Sequence, residues 1–293
     1  MFLSPHLDDA VFSCAGLISR LSSAGHRPLV INVFSTASQD FKSSSRPDDG
    51  RVAEEYVVSG YLGFYVRLIG ELDAFFRGPA YKSLTGLFMA RPGLYLQELH
   101  RIQSVIAAAL RGITYDLVYA PLAVGWHVDH LLTHLAARAV VEPSRLRFYE
   151  DAPYVLLPHF QTYRLGQLDR GAGLPEGSRL RHALEASRFY ARTAVMRNKL
   201  GPWKGAVAQP VLDAWFYRLF RNHAGVEGDT LSLQPVLEDV TPALGKKVQA
   251  YSLYRSQFPH FFGGREECTT LLSDYSRRIG GGGRYCERYW ATR

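Results

Sequence analysis

The chain has no Cys-x-x-Cys pair, and its three cysteines, Cys14, Cys268 and Cys286, are scattered and odd in number. That argues against a disulfide framework or a zinc finger and reads as a reduced, cytoplasmic protein. No run of 18 apolar residues occurs, so no transmembrane helix is expected. The chain enters structure at once, with no secretory leader in view. No Gly-x-Gly-x-x-Gly follows the first strand, which removes support for a dinucleotide site. No internal repeat is present. Acidic residues, 27, are fewer than the 34 basic ones, for a net charge of +7. A nucleic-acid footprint would need a basic face interleaved with aromatics. The densest basic run, residues 179–204, spreads Arg181, Arg188, Arg192, Arg197 and Lys199 around one helix. It reads as a solvated helix. An anionic substrate group or lipid surface fits the charge better than nucleic acid does.

What is present is an ordinary globular balance, 47% hydrophobic and 21% charged over 293 residues, without a linker. It predicts one α/β domain over residues 1–293, with 160–293 adding rim elements and a folded-back tail. The most informative stretch is Ser4-Pro5-His6-Leu7-Asp8-Asp9-Ala10. Met1, Phe2 and Leu3 lead into it, and Val11, Cys14, Leu17, Ile18 and Leu21 follow at helical spacing. That reads as strand, tight loop, helix, the place where open α/β sheets bind ligands. Taken locally, Asp8 and Asp9 are a helix cap beside a surface His. Taken chemically, two adjacent carboxylates repel unless a cation relieves them. His with carboxylate suits zinc, and iron or manganese less specifically.

A second cluster, Gly125-Trp126-His127-Val128-Asp129-His130, also sits between a buried-strand pattern (residues 115–121) and a helical stripe of Leu131, Leu132, Leu135, Ala136 and Val140. Two such loops on neighbouring strands can face one crevice. His6 and Asp9 from one and His130 from the other make three metal ligands and leave a position open for water, as in a catalytic zinc site. His130 and His134, four apart, are a rival pair. The Glu of the metalloprotease pattern is missing between them, so His130 is expected as ligand and His134 as structural.

These residues resemble the PIG-L/LmbE-like zinc N-deacetylases. The family's His-x-Asp-Asp motif matches residues 6–9, and its His-x-Asp-His motif matches residues 127–130. Arg51, Glu54 and Glu55 before Leu62-Gly63 resemble its Arg-x-x-Glu helix. Leu72-Asp73-Ala74 resembles its Asp-containing turn, and Lys247, Tyr251, Ser256 and Gln257 its C-terminal helix. The likeness runs from residue 3 to about residue 257. Ala10 stands where many members have Glu, and Leu7 where Pro is commoner. Both variants look like those of a bacterial branch with a Tyr-Glu-Asp-x-Pro-Tyr segment, here Tyr149-Glu150-Asp151-Ala152-Pro153-Tyr154.

The resemblance implies a Rossmann-like, mostly parallel sheet with helices on both faces and the active site at the carboxyl ends of its strands. It implies removal of an N-acetyl group from an N-acetylglucosamine-type conjugate, a small-molecule substrate, with Zn2+ (or Fe2+) as cofactor. Asp8 would be the base rather than a ligand, taking a proton from the attacking water and passing it to the amine. His127, protonated, would stabilise the tetrahedral intermediate, with Asp129 orienting or charging it. Arg51 would hold substrate, or else pair with Glu54 or Glu55 on the helix surface. Asp73 would accept from sugar hydroxyls, or else cap a turn. Glu150 and Asp151 would point near the site. Two rivals stand beside this reading: a zinc amidohydrolase of a non-sugar acyl or carbamoyl amide, and a non-catalytic sugar-binding protein. A homo-oligomer is left open.

Further strands are expected at residues 28–34, 64–69 and 146–149, with a strand element within 231–239. Helices are expected at 51–62, 94–110, 180–200 and 241–257, with a break at 202–210. Residues 75–92 read as an irregular aromatic rim. Gly280 to Gly283 read as mobile unless docked.

Overall fold

Near-continuous apolar runs suit parallel strands covered by helices on both faces. A computed structural model of the chain, which describes residues 1–36, 49–172, 176–225 and 230–292, has that arrangement. β1 (Phe2–Ser4) leads to α1 (Asp9–Ser23), and β2 (Leu29–Asn32) to α2 (Asp49–Leu62). β3 (Tyr65–Leu68) leads to the short α3 (Ala74–Arg77) and α4 (Leu84–Phe88), then to α5 (Pro92–Leu110). β4 (Val118–Pro121) leads to α6 (Val128–Val140), and β5 (Leu146–Tyr149) to α7 (Phe160–Leu168), α8 (Arg179–Arg192) and α9 (Ala194–Asn222). β6 (Leu233–Asp239), α10 (Leu244–Leu253), α11 (Phe258–Phe261), α12 (Arg265–Arg278) and β7 (Cys286–Thr292) complete the chain. The loop expected after β2 lies mostly outside the described residues.

The strand order is β3-β2-β1-β4-β5-β7-β6. The first five strands are parallel; β7 pairs antiparallel with β5 (Phe148 opposite Trp290) and with β6 (Val236 opposite Tyr289). The chain therefore winds outward from β1 through β2 and β3, then returns to β4 on β1's other side. That reversal makes the gap between β1 and β4 the topological switch point, where ligands bind outside the carboxyl ends of the strands. Both motifs lie there. No helix among the described residues is long and apolar enough to cross a membrane.

The aromatic tail folds back as β7. It is locked by a buried ion pair: Lys247 Nζ lies 2.6 Å from Glu287 Oε1, and the two Glu287 oxygens accept from the α1 amides of Gly16 and Leu17. One expectation fails. Residues 202–210 do not break the chain but lie within α9. α5 begins at Pro92 and presents Tyr95, Ile102, Ile106 and Leu110 inward, leaving Leu96 exposed. The glycine run is docked: the Gly281 amide donates to the Ser276 carbonyl, and a Cβ at Gly281 would lie 2.5 Å from Ser276 Oγ.

Candidate metal centre and active site

The first turn is tied locally. Ser4 Oγ donates to the His6 carbonyl and accepts from the Ala10 amide, and the His6 amide donates to Asp9 Oδ2 at 2.8 Å. These bonds fold the loop onto the start of α1 and turn His6, Asp8 and Asp9 into the crevice, all three buried. The second turn uses left-handed backbone at Ala123, Gly125 and Trp126. Non-glycine residues there cost on the order of 1–3 kcal/mol each and persist only when packing over-determines them. Trp126 is so held, with its indole stacked on His223 and its Nε1 donating to Gln167. Gly125 has no alternative: a Cβ would sit 2.5 Å from the Tyr154 ring. His127 then caps α6, its Nδ1 accepting from the Asp129 amide.

The turns bring the three expected ligands together. Asp9 Oδ2 lies 3.1 Å from His6 Nδ1 and 3.2 Å from His130 Nε2. Around a tetrahedral zinc with bonds near 2.0–2.1 Å, neighbouring donor atoms stand about 3.3 Å apart, close to these two separations. The opposite nitrogens of both rings are held by carboxylates: Asp129 Oδ2 is 3.0 Å from His6 Nε2, and Asp151 Oδ1 is 2.7 Å from His130 Nδ1. Metal-ligating histidines are commonly oriented in this way. His127 also lies near, with the nitrogens of His6, His127 and His130 within 4.8 Å of one another. These residues could therefore hold a metal. His134 stays out, its Nδ1 bonded to the Pro121 carbonyl and its ring against Phe148.

The electrostatics follow from burial and neighbours. Burial would lower His130, but Asp9 and Asp151 outweigh it and lift the imidazole to about 9. Burial raises Asp8 to about 6, helped by the charge of Asp9 and opposed by Arg51, whose Nη2 is 4.0 Å from Asp8 Oδ1. His127 is pushed down to about 4 by burial, with Asp129 opposing. It is therefore neutral near pH 7, and with Nδ1 accepting a backbone bond its Nε2 carries the proton. Burial thus disfavours the protonated form considered from sequence and favours a neutral hydrogen-bond donor at His127.

Other roles shift too. The Asp129 carboxylate faces His6 rather than His127; Oδ2 also accepts from the Ala74 amide, and Oδ1 accepts from Arg77 Nη1 at 2.5 Å. Asp151 does not face substrate but holds His130, its second oxygen accepting from the Val124 amide. Glu150 points away altogether. Its carboxylate accepts from Tyr275, Arg288 and Trp290 in a buried knot that ties β5 to α12 and β7. Asp73 is at the crevice, with Oδ1 capping α3 through the Phe75 amide and Oδ2 3.6 Å from His6 Nε2. Arg51 reaches in from α2, and its Nε is buried without a hydrogen-bond partner among the described residues.

Three residues not singled out from sequence complete the walls. Arg77 is buried between Asp129 and Glu98, with its Nε 2.6 Å from Glu98 Oε2. Phe88 sets its ring 5.3 Å from that of His127, and Tyr154 sets its ring 5.6 Å from that of His130. Tyr154 had a sequence signal as the end of the Tyr-Glu-Asp-x-Pro-Tyr segment, and Phe88 as part of the aromatic rim expected at residues 75–92; Arg77 had none.

Fold and site together define an α/β protein with a histidine–carboxylate centre at the switch point of its sheet. Residues 1–141, just under half of the chain, match the family model "PIG-L: GlcNAc-PI de-N-acetylase". Over 164 residues the chain is 35% identical to 2'-N-acetylparomamine deacetylase of Streptomyces fradiae, a match covering 53% of this chain and 57% of that protein. The chain thus spans little more than half the length of this relative. It is similar in fold to a solved deacetylase of teicoplanin biosynthesis in complex with bog (TM-score 0.66, 18% identity, 100% of this chain and 96% of that one). The zinc-inhibited form of teicoplanin deacetylase Orf2 is similar as well (TM-score 0.65, 18% identity, 100% and 97%).

Proposed function

We propose that the chain hydrolyses the N-acetyl group of an N-acetylglucosamine-type amino-sugar conjugate, with zinc held by His6, Asp9 and His130. The observation that carries this reading is Asp9 Oδ2 set between His6 Nδ1 and His130 Nε2, with Asp8 beside it and outside the ligand set. Bound zinc would acidify water to a pKa of about 7 and polarise the amide carbonyl. Asp8, buried beside Arg51, takes the proton of the attacking water and returns it to the departing nitrogen. His127 donates its Nε2 proton as a hydrogen bond to the oxygen on which charge develops. Asp129 and Asp151 hold the two ligand rings in place. Arg51 and Asp73, at the mouth, contact the sugar. The deacetylase names among the relatives support the choice of bond. On this reading the partner is a diffusible small molecule, nucleic acid has no part, and the reaction runs in the cytoplasm with 1–293 acting as one unit.

The test is acetate release from a panel of N-acetylated amino sugars and matched non-sugar amides by zinc-loaded protein, beside Asp8→Asn. Release from sugars alone, lost in the variant, is expected. Release only from non-sugar amides would select the amidohydrolase reading. Sugar binding without release would leave a binding protein.

A further inference from the structure

Beyond the catalytic crevice the described surface holds a second cavity, of about 360 Å³, lined by Thr85, Met89, Arg91, Arg218, Arg221 and Asn222. That volume lies in the range of small-ligand sites. Arg218 and Arg221 are three apart on α9 and so share a face. Arg91, just before α5, lines the same cavity, and all three are exposed. Among the described residues no acidic side chain lines the cavity, and none of the three arginines has a carboxylate partner. Some exposed cations elsewhere do have one: Arg20 meets Glu238, Arg101 meets Glu71, Arg181 meets Glu185 and Arg277 meets Asp274. Three unpaired guanidiniums around one cavity repel one another unless an anion enters. Guanidinium forks match phosphate and carboxylate oxygens in pairs.

The cavity is also close to the chemistry. Met89 follows Phe88, whose ring stands against His127 and whose carbonyl accepts from His223 Nε2 at 2.7 Å. His223 in turn follows Asn222 of the cavity wall and stacks on Trp126 of the second turn. Phe88, in contact with His127, is thus the chain neighbour of the cavity residue Met89. We infer that Arg91, Arg218 and Arg221 form a subsite for an oxyanion, phosphate or carboxylate, carried by the substrate on the side away from its acetamido group. This rests on the deacetylase reading for the substrate, though not for the anion site itself.

The probe is ethanedisulfonate, a dianion that does not strip metal, titrated by calorimetry at low salt into the intact chain and into Arg218→Gln/Arg221→Gln. Binding at least tenfold weaker in the double variant, with unchanged circular dichroism and thermal midpoint, is expected. Equal binding in both proteins overturns the subsite, whatever the enzyme's activity. A variant with an altered midpoint is replaced by the single Arg91→Gln change, held to the same criterion. In the second arm the dianion is added during hydrolysis of N-acetylated sugar conjugates with and without a phosphate or carboxylate. Competition confined to the anionic conjugates is expected. An equal effect on the neutral ones means that a free anion acts as effector and overturns the assignment to substrate. If no conjugate is hydrolysed, the deacetylase reading fails, while the binding arm still decides the anion site.

Discussion

Asp129 Oδ2 lies 3.0 Å from His6 Nε2, joining two turns that are 123 residues apart in the chain. The bond fixes which nitrogen of His6 is free. Donation of Nε2–H to Asp129 leaves Nδ1, on the Asp9 side, as the nitrogen that would face a metal. Arg77 holds Asp129 from behind, and Glu98 holds Arg77. Ligand geometry at β1 is thus set from α6, α3 and α5.

Asp129→Asn tests that linkage. The amide keeps the shape but loses the charge that favours the Nε2–H tautomer. Loss of such a partner costs about 10–100-fold in metal affinity. Zinc competition with a chromophoric chelator is expected to show a fall of that size. Unchanged affinity with a changed rate would mean that Asp129 acts on His127 instead.

Asp8 separates base from ligand. Asp8→Asn is expected to retain about one metal per chain and to lose roughly 10²–10⁴ in rate, the usual scale of general acid–base catalysis. His130→Ala is expected to lose the metal. Metal analysis of the two variants beside wild type reads the outcome directly; loss of metal from Asp8→Asn would move Asp8 into the ligand set.

The two motifs were legible because each is local. Strand, loop and helix within some ten residues place their polar side chains at one sheet end, and the ordered pair implies a shared crevice. The direction of neighbouring side chains at a strand end was harder to read. Adjacent residues there point to opposite faces, so of Glu150 and Asp151 only one can reach the site, and nothing in the pair says which. Arg77 was invisible because α3 has no periodicity to mark its buried face and its partner Asp129 lies 52 residues away. The anionic tail contact was equally hidden, since Glu287 meets Lys247 and α1 only once β7 is placed.

Glu55 makes stability depend on pH. It is fully buried, accepting from Asn32 Nδ2 and from the Tyr254 hydroxyl. Burial raises it to about 8 from an ordinary 4.5, with Tyr254, Asn32 and Arg51 opposing and Asp8 adding to the rise. A folded pKa above the unfolded one gives stability that is fully present below the unfolded value and lost as pH rises through the folded one. The wild-type thermal midpoint is therefore expected to fall, relative to Glu55→Gln, as pH rises from 4.5 to 8. Parallel melting curves for the two proteins across that window would place the ionised carboxylate in a better-solvated setting.

The Lys247–Glu287 pair is the point at which the C-terminal strand depends on the core. Both side chains are buried, and Lys247 also donates to the Ser13 carbonyl on α1. Removing one member strands the other charge in apolar surroundings, at about 3–5 kcal/mol, whereas replacing both by apolar residues of similar volume is often neutral. The Glu287 oxygens complicate that simple case, because they also satisfy the amides of Gly16 and Leu17. Those two amides lie within α1, about two turns from its start, so each retains a helical carbonyl partner when Glu287 is gone. Lys247→Met is accordingly expected to lower the denaturant midpoint sharply, and Lys247→Met/Glu287→Leu to recover most of the loss. Failure of the double variant to recover would show that the carboxylate stabilises α1 independently of the lysine.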